Sequence, residues 1–494
     1  MTALSGQDFD VLVIGGGITG CGVARDAAMR GLRVALVERE DFASGTSGRS
    51  SRLIHGGIRY LEHAQFHLVH ESIRERQILL QIAPHLVKQL AFTWPVYRGA
   101  RVGRVKLSAG LILYGLMAGG GARRHSTLNE AETIAREPSL KRAGLTGGAV
   151  YYDACTDDGR LTLANAISAA QHGAVVLNHT RVTEILRDRG RAVGVVVKTS
   201  AGTSEEVRAR TIVSATGVWP NSFSESSQDA ARGSKGVHIA VPRDRIDNRD
   251  ALTLISPVDG RVMFCLPAGP QAIIGTTDTW TSENPETVHA AQSDIEYLLR
   301  SANAYFPAAA LAPEDVVSAW AGIRPLAATS AANPGAASRE HSIITDGTGV
   351  IHITGGKLTT YRAMASEIVD VVQRALGVPV EPGRTDVVEL PGADRATELL
   401  KLQRQDPVLA EPLIPSLVYT RAHLVYAARR EMARSLSDVL IRRTHVAFET
   451  RDHGMSVSAH AADIIAPVLG WDEREKSARV REYQQDVERI FRIG

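Results

Sequence analysis

The chain has 494 residues, a net charge of +2 and three cysteines; that length predicts two or three domains with a sizeable core, and the balanced charge excludes the bulk basic field of a nucleic-acid binder. Cys21, Cys155 and Cys265 are odd in number and far apart, which excludes a disulfide framework and a cysteine metal cluster and points to a reducing compartment. With no signal-peptide core in residues 1–10 and no apolar run of about 18 residues, the expectation is a cytoplasmic protein, soluble or at most peripheral on a membrane.

The chain opens with its most informative stretch. Residues 11–14 read as a buried strand, and Gly15, Gly17 and Gly20 fill the three glycines of a G-x-G-x-x-G turn. Residues 18–30 can run as a helix, Gly31 stops it, and residues 33–37 form a second strand ending in Glu38. Bare glycine backbone lets a pyrophosphate approach the helix N-terminus, whose unpaired N–H groups meet its charge, and an acid after the second strand accepts from a ribose. Strand, turn, helix, strand and acid in register predict a dinucleotide site that includes Gly16, Ile18, Thr19 and Arg39.

Next comes Ser44-Gly-Thr-Ser-Gly-Arg-Ser-Ser-Arg-Leu-Ile-His-Gly-Gly-Ile-Arg-Tyr-Leu-Glu62. Its small hydroxyl residues and glycines can wrap a cofactor and present His55, Arg59 and Tyr60 to an anion; taken alone, His55 reads as a satisfied histidine on a solvated loop. Leu53-Ile-His-Gly-Gly-Ile-Arg-Tyr-Leu-Glu62 resembles the LIHGGxRYLE signature of FAD-dependent glycerol-3-phosphate dehydrogenases. The resemblance implies FAD contacts at Thr46, Ser47, Arg49, Ser50, Ser51, Leu53, His55, Gly56 and Gly57. It also implies substrate contacts at Arg59 and Tyr60.

Residues 68–83 form an amphipathic helix ended by Pro84, and residues 92–97 a strand. Arg98, Arg101, Arg104 and Lys106 then precede an apolar stretch, residues 107–118, with Arg123 and Arg124 behind it. A short apolar helix with basic flanks can lie in a membrane interface; the alternative is a buried helix whose arginines face water.

From residue 148 strands alternate with helices again. A helix begins in the stretch 156–162 and runs to about residue 172, a strand spans residues 175–177, and residues 180–186 and 192–198 form a hairpin across Arg189-Gly190. Val182 on that hairpin is counted with the cofactor contacts. Residues 210–219 form a buried strand ending in Thr216-Gly217, which resembles the ATG that closes over the adenosine end of FAD in two-dinucleotide-binding flavoproteins.

Residues 223–340 carry shorter strands. Arg232-Gly-Ser-Lys-Gly-Val-His238 matches the family's basic segment, and Arg324 stands in Ala321-Gly-Ile-Arg-Pro-Leu326, where the proline stiffens its approach. Arg339 follows a small-residue loop expected to be mobile and exposed. Any single arginine reads as a solvated charge, but Arg59, Arg324 and Arg339 all match the family, and the planar fork of arginine suits a phosphate. His238 joins them as a substrate contact.

Gly355-Gly-Lys-Leu-Thr-Thr-Tyr-Arg362 is the family's second diagnostic motif. It reads strand, double glycine and helix to about residue 376, placing Gly356, Lys357, Leu358 and Thr359 at the cofactor and Lys357 also at the substrate. The helix N-terminus would favour the negative charge of reduced flavin. After a Pro/Gly linker the tail is helical, with Val425, Ala428, Met432, Leu436 and Val439 spaced for one amphipathic helix over residues 421–443. Arg429, Arg430 and Arg434 lie on its outer face. The tail resembles the family's helical C-terminal cap.

The resemblance implies a mixed α/β fold. A Rossmann-like FAD domain, discontinuous over 1–90, 148–222 and 341–380, joins an antiparallel-sheet substrate domain over 91–147 and 223–340. Residues 381–494 form the linker and helical cap. The implied reaction is oxidation of sn-glycerol 3-phosphate to dihydroxyacetone phosphate by hydride transfer from C2 to flavin N5, with a membrane quinone as acceptor. His55 is the first candidate for the base that takes the C2 hydroxyl proton. Arg324 or Lys357 could instead orient that hydroxyl and stabilise charge developing on its oxygen. An oxidase using O₂, or a flavin-binding sensor without turnover, stays open, as does a homodimer. No metal and no nucleic acid are expected.

Overall fold

The computed structural model describes residues 4–63, 65–117, 125–200, 202–219, 233–326 and 340–494. Two sheets organise it. The first runs His341–Thr345, Ile351–Gly355, Ser204–Ser214, Asp8–Ile14, Val34–Val37 and Val175–Leu177, with the hairpin Thr180–Asp188 and Arg191–Thr199 folded off Ser204–Ser214. Its central strands pair parallel, Val11 beside both Thr211 and Val34. Parallel strands need crossovers that cover their faces. Here the helices Ile18–Met29, Asp158–Gln171 and Tyr361–Leu376 bury one face through Val23, Ala27, Leu163 and Ile368. The hairpin covers the other through Val182, Ile185 and Val195.

The second sheet is almost wholly antiparallel, one exception being the pair of Ala251 with Phe92. Gly233–Pro242 lies near one end of it, between Gln271–Gly275 and Ser318–Pro325. Sheet membership crosses two of the expected domain limits. Leu53–Ile54 and Leu145–Thr156 pair with each other, and Val87–Tyr97 pairs with Leu145–Thr156, so residues 148–156 belong with the second sheet. The cause is one long ladder from Val87 opposite Thr156 to Tyr97 opposite Leu145.

The tail packs on the second sheet, Phe448 edge-on against Trp320 and against Phe491. The single helix expected over residues 421–443 is corrected to two, Arg421–Arg430 and Asp438–Arg443. Met432 sits at φ +57° in the left-handed region, and the Asp438 carboxylate accepts the Arg434 and Ser435 amides at 2.7 and 3.1 Å. Arg429, Arg430 and Arg434 do lie exposed. The second-motif helix also starts later than its glycines: Gly355 and Gly356 take φ of +81° and +92°, and the helix begins at Tyr361.

The helix Arg104–Met117 buries Leu107, Leu111 and Tyr114 and leaves Val105, Ile112 and Leu116 exposed. Its expected last residue, and Arg123, Arg124, Arg232 and Arg339, lie outside the described residues. Among the described residues no helix is long and apolar enough to cross a membrane.

Candidate active site

The glycine turn is shaped by what lies against it. A Cβ on Gly20 would drive into the Gly15 carbonyl, and one on Gly16 would meet the Glu38 and Phe42 side chains. Gly17 faces open space apart from Ser47 Oγ at 3.3 Å. Ile18, first residue of the helix, donates its N–H to that hydroxyl at 2.9 Å. Glu38 is buried and accepts the Gly16 and Glu40 amides at 2.6 and 2.9 Å. Burial raises its carboxyl above the usual range, and those two amides pull the other way. Glu38 therefore braces the turn as well as facing the space a ribose would take.

That space is a cavity of about 1350 Å³ running from the glycine turn to the face of the second sheet. Its walls include Gly15, Gly17, Ile18, Thr19, Glu38, Arg39, Thr46, Ser47, Arg49, Ser50, Ser51, Leu53 and His55. Tyr60, Val182, Thr216, Gly217, His238, Arg324, Gly356, Lys357, Leu358 and Thr359 line it as well. Gly16, Gly20, Gly56 and Gly57 stand behind the wall and act as turn and packing residues: a Cβ on Gly56 would meet Tyr114 and Ile73, and one on Gly57 would meet Tyr60. Arg59 falls in the short helical turn Ile58–His63; its side chain and Arg339 are outside what the structure describes.

At the second-sheet end, Arg324 donates to Thr276 Oγ1 at 3.0 Å and pairs with Asp278 at 3.4 Å. Its guanidinium lies where a Cβ on Gly236 would stand. His238 is buried, stacked on Trp320 with centroids 5.4 Å apart, and its Nε2 is 2.9 Å from Ser51 Oγ. Burial pushes its pKa down to about 3, helped by Arg324 and Arg52, so the imidazole is neutral. Lys357 Nζ sits 4.4 Å over the Tyr60 ring and 3.4 Å from Ser72 Oγ. His55 is fixed by its backbone: its N–H donates to Thr359 Oγ1 at 3.2 Å, and its carbonyl accepts from the same hydroxyl at 3.3 Å. The two diagnostic motifs are thus tied together at the cavity wall.

Several wall residues escape a reading of the sequence. Arg181, Glu184 and Arg187 line the rim from the hairpin, and residues 281–286 line it from the second sheet. Arg39 lies 4.5 Å over the Trp219 ring and pairs with Glu286 at 2.7 Å. No local motif announces Asp278 or Glu286; long-range pairing brings them to the arginines.

Amides at a helix start, glycine backbone and a braced acid at one end, with basic and neutral imidazole groups at the other, suit a large dinucleotide with a redox ring. This is the construction of a flavin-dependent oxidoreductase. The model of the FAD dependent oxidoreductase family matches residues 10–370, and that of the C-terminal domain of alpha-glycerophosphate oxidase matches residues 392–476. Glycerol-3-phosphate dehydrogenase 2 of Mycobacterium tuberculosis is 39% identical over 98% of this chain and 89% of its own. The aerobic glycerol-3-phosphate dehydrogenase of Staphylococcus saprophyticus is 35% identical over 97% and 94%. The crystal structure of glycerol-3-phosphate dehydrogenase from Bacillus halodurans complexed with FAD superposes with a TM-score of 0.80 at 30% identity, over 99% of this chain and 97% of that one. The chain belongs to the FAD-dependent glycerol-3-phosphate dehydrogenase family, and FAD is its cofactor. The fold is shared more widely: an L-alpha-glycerophosphate oxidase from Mycoplasma pneumoniae, 19% identical, superposes at 0.61 over 78% of this chain and 100% of its own.

Proposed function

We propose that this protein oxidises sn-glycerol 3-phosphate to dihydroxyacetone phosphate and passes the electrons to a quinone. The observation that carries the reading is the convergence of Arg324, His55 and Lys357 on one cavity whose far end is the glycine turn. Arg324 is oriented by Thr276 and Asp278, which presents its planar fork to a phosphate. His55 accepts the C2 hydroxyl proton as the C2 hydrogen leaves with its electron pair, and the carbon–oxygen bond becomes a carbonyl. Lys357 stabilises negative charge developing on that oxygen. FAD supplies the two-electron acceptor when bound. Glu38, Thr46, Ser47 and Thr216 face the cavity from the glycine-turn side and would hold the cofactor; His238, neutral and packed on Trp320, supports the wall without contributing charge. Arg59 and Arg339 remain proposed phosphate contacts.

The apolar face of Arg104–Met117 supports peripheral contact with a membrane, where a quinone is met. Adding glycerol 3-phosphate to the purified yellow protein without oxygen tests the chemistry: the flavin colour bleaches. Failure to bleach removes the substrate. Reoxidation rates with a soluble quinone and with O₂ then assign the acceptor.

A further inference from the structure

Behind the turn that carries His55, away from the cavity, three polar side chains are buried together. Asp153 stands on Leu145–Thr156, Arg76 on the helix Phe66–Ile82, and Tyr114 on the inner face of Arg104–Met117. One carboxylate oxygen of Asp153 accepts the Gly56 N–H at 3.0 Å, the Tyr114 hydroxyl at 2.7 Å and a guanidinium N–H of Arg76. Arg76 also donates to the Tyr152 carbonyl at 3.1 Å and the Tyr114 oxygen at 3.2 Å. Burial, with Asp153 beside it, holds the Tyr114 hydroxyl protonated far above the usual range. None of the three lines the cavity.

Their geometry converges on one peptide. Thr359 holds the His55 N–H and carbonyl from the cavity side, and Asp153 holds the next amide, Gly56, from behind. The Tyr114 hydroxyl also occupies the volume a Cβ on Gly56 would need, so it is both a donor to Asp153 and the surface on which the turn rests.

We propose that Tyr114, Asp153 and Arg76 form a positioning device that fixes the His55 imidazole for proton abstraction, with Tyr114 as its backstop. The proposal rests on the reading of His55 as base. Without the hydroxyl, Asp153 loses one donor and a gap of one oxygen opens directly behind Gly56, letting the turn sink away from the cavity. Displacements on the order of 1 Å at a proton-transfer group lower rates by roughly ten- to a hundredfold.

The test compares Tyr114→Phe with Tyr151→Phe. Tyr151 is equally buried, lies edge-on to Tyr114, and its hydroxyl bonds Thr253 rather than the turn. Two measurements are made on the FAD-loaded protein: the His55 ring signal in ¹³C-histidine-labelled protein without substrate, and the limiting rate of anaerobic flavin reduction by glycerol 3-phosphate. Tyr114→Phe shifts the His55 signal and lowers the limiting rate about tenfold or more, while FAD content and half-saturation stay within twofold of wild type; Tyr151→Phe changes none of these. An unmoved His55 signal, or a rate loss that only tracks FAD loss, overturns the proposal. A shifted signal in a protein that glycerol 3-phosphate does not reduce, even as wild type, removes the substrate reading and leaves the positioning role standing. Should Tyr114→Phe not fold, Asp153→Asn, which keeps an oxygen for the Gly56 amide, is read the same way.

Discussion

Arg324 reaches the cavity through room that Gly236 leaves on the neighbouring strand. Gly236 pairs with Gly322 across the ladder, Ser234 pairs with Arg324, and the guanidinium fills the volume a side chain at 236 would claim. This cavity-lining arginine is therefore placed by a glycine 88 positions away in sequence (324 − 236), where its own flexible stem could not hold it alone.

Gly236→Ala should displace that guanidinium without touching the glycine turn. The expected result is a KM for glycerol 3-phosphate raised about tenfold, near 1.4 kcal/mol, with FAD content unchanged. Arg324→Lys, which keeps the charge but loses the fork, should do the same. Steady-state kinetics decide it, and an unchanged KM in both variants moves the phosphate site to Arg59 or Arg339.

Gly17 and Gly20 should fail in different ways. A side chain on Gly20 collides with the Gly15 carbonyl, so Gly20→Ala should lower stability by about 1–3 kcal/mol through overpacking. A Cβ on Gly17 meets only the Ser47 hydroxyl, so Gly17→Val should fold, but it fills the wall where a pyrophosphate must approach backbone. Its purified form should be colourless with a melting temperature close to that of the wild-type apoprotein. Full yellow occupancy in Gly17→Val would place the pyrophosphate elsewhere.

The His238 imidazole links folding to pH. Its folded pKa is about 3 against an ordinary 6.5, so below pH 6.5 the unfolded chain binds a proton that the native protein refuses. Stability from this group is complete above pH 6.5 and is lost as pH falls towards 3, by about 1.4 kcal/mol per pH unit. Denaturant unfolding of His238→Asn between pH 6 and 4 should show a slope shallower by about that amount. Any activity limb near neutrality should survive the substitution in position, since His238 does not titrate there.

Much of this architecture is legible in the chain because its signals are local. Glycine spacing, the apolar runs on both sides and Glu38 place the first sheet and the turn; the two diagnostic motifs place His55, Lys357 and Thr359 within a few residues of their positions. What escaped depends on pairing across long separations. Residues 148–156 fall on the cofactor-domain side of the expected limit at 147/148 because nothing in their own pattern announces the Val87–Tyr97 ladder. The break at Met432 escaped because apolar spacing continues through it; a left-handed residue and the Asp438 carboxylate, not periodicity, end the helix there. The sequence points Glu38 only towards a ribose, and its grip on Gly16 appears only in three dimensions.

Asp41 should be a stability residue of the cofactor domain. It is fully buried three residues beyond Glu38 and takes Arg443 at 2.5 and 2.9 Å and Arg442 at 2.7 Å. Asp438 and His179 close the same network at 2.9 Å, so the arginines fill an acidic cluster that, without them, has the make-up of a cation site. Asp41→Ala strands buried guanidinium charge and should lose about 3–5 kcal/mol, read as a fall in melting temperature. A change under about 1 kcal/mol would mean that solvent reaches this junction between the tail and the cofactor domain.

The last prediction concerns the helix Arg104–Met117. Its basic flank is weaker than its sequence implies, because Arg101 and Lys106 both pair with Glu62, at 2.9 and 3.1 Å. Its outward face is more apolar than a buried-helix reading allows, with Val105 86% and Leu116 74% exposed and Ile112 half exposed. Exposed basic side chains contribute roughly 1 kcal/mol each near an anionic surface and are screened within about 8–10 Å by salt. Apolar burial is not screened. An Ile112→Ser, Leu116→Ser double variant should therefore bind anionic vesicles less well at both low and high salt, whereas Arg104→Glu should weaken binding at low salt alone. Sedimentation with vesicles of phosphatidylglycerol and phosphatidylcholine measures both. If the double variant sediments like wild type at high salt, this face does not meet lipid, and the exposed apolar side chains belong to an ordinary protein surface.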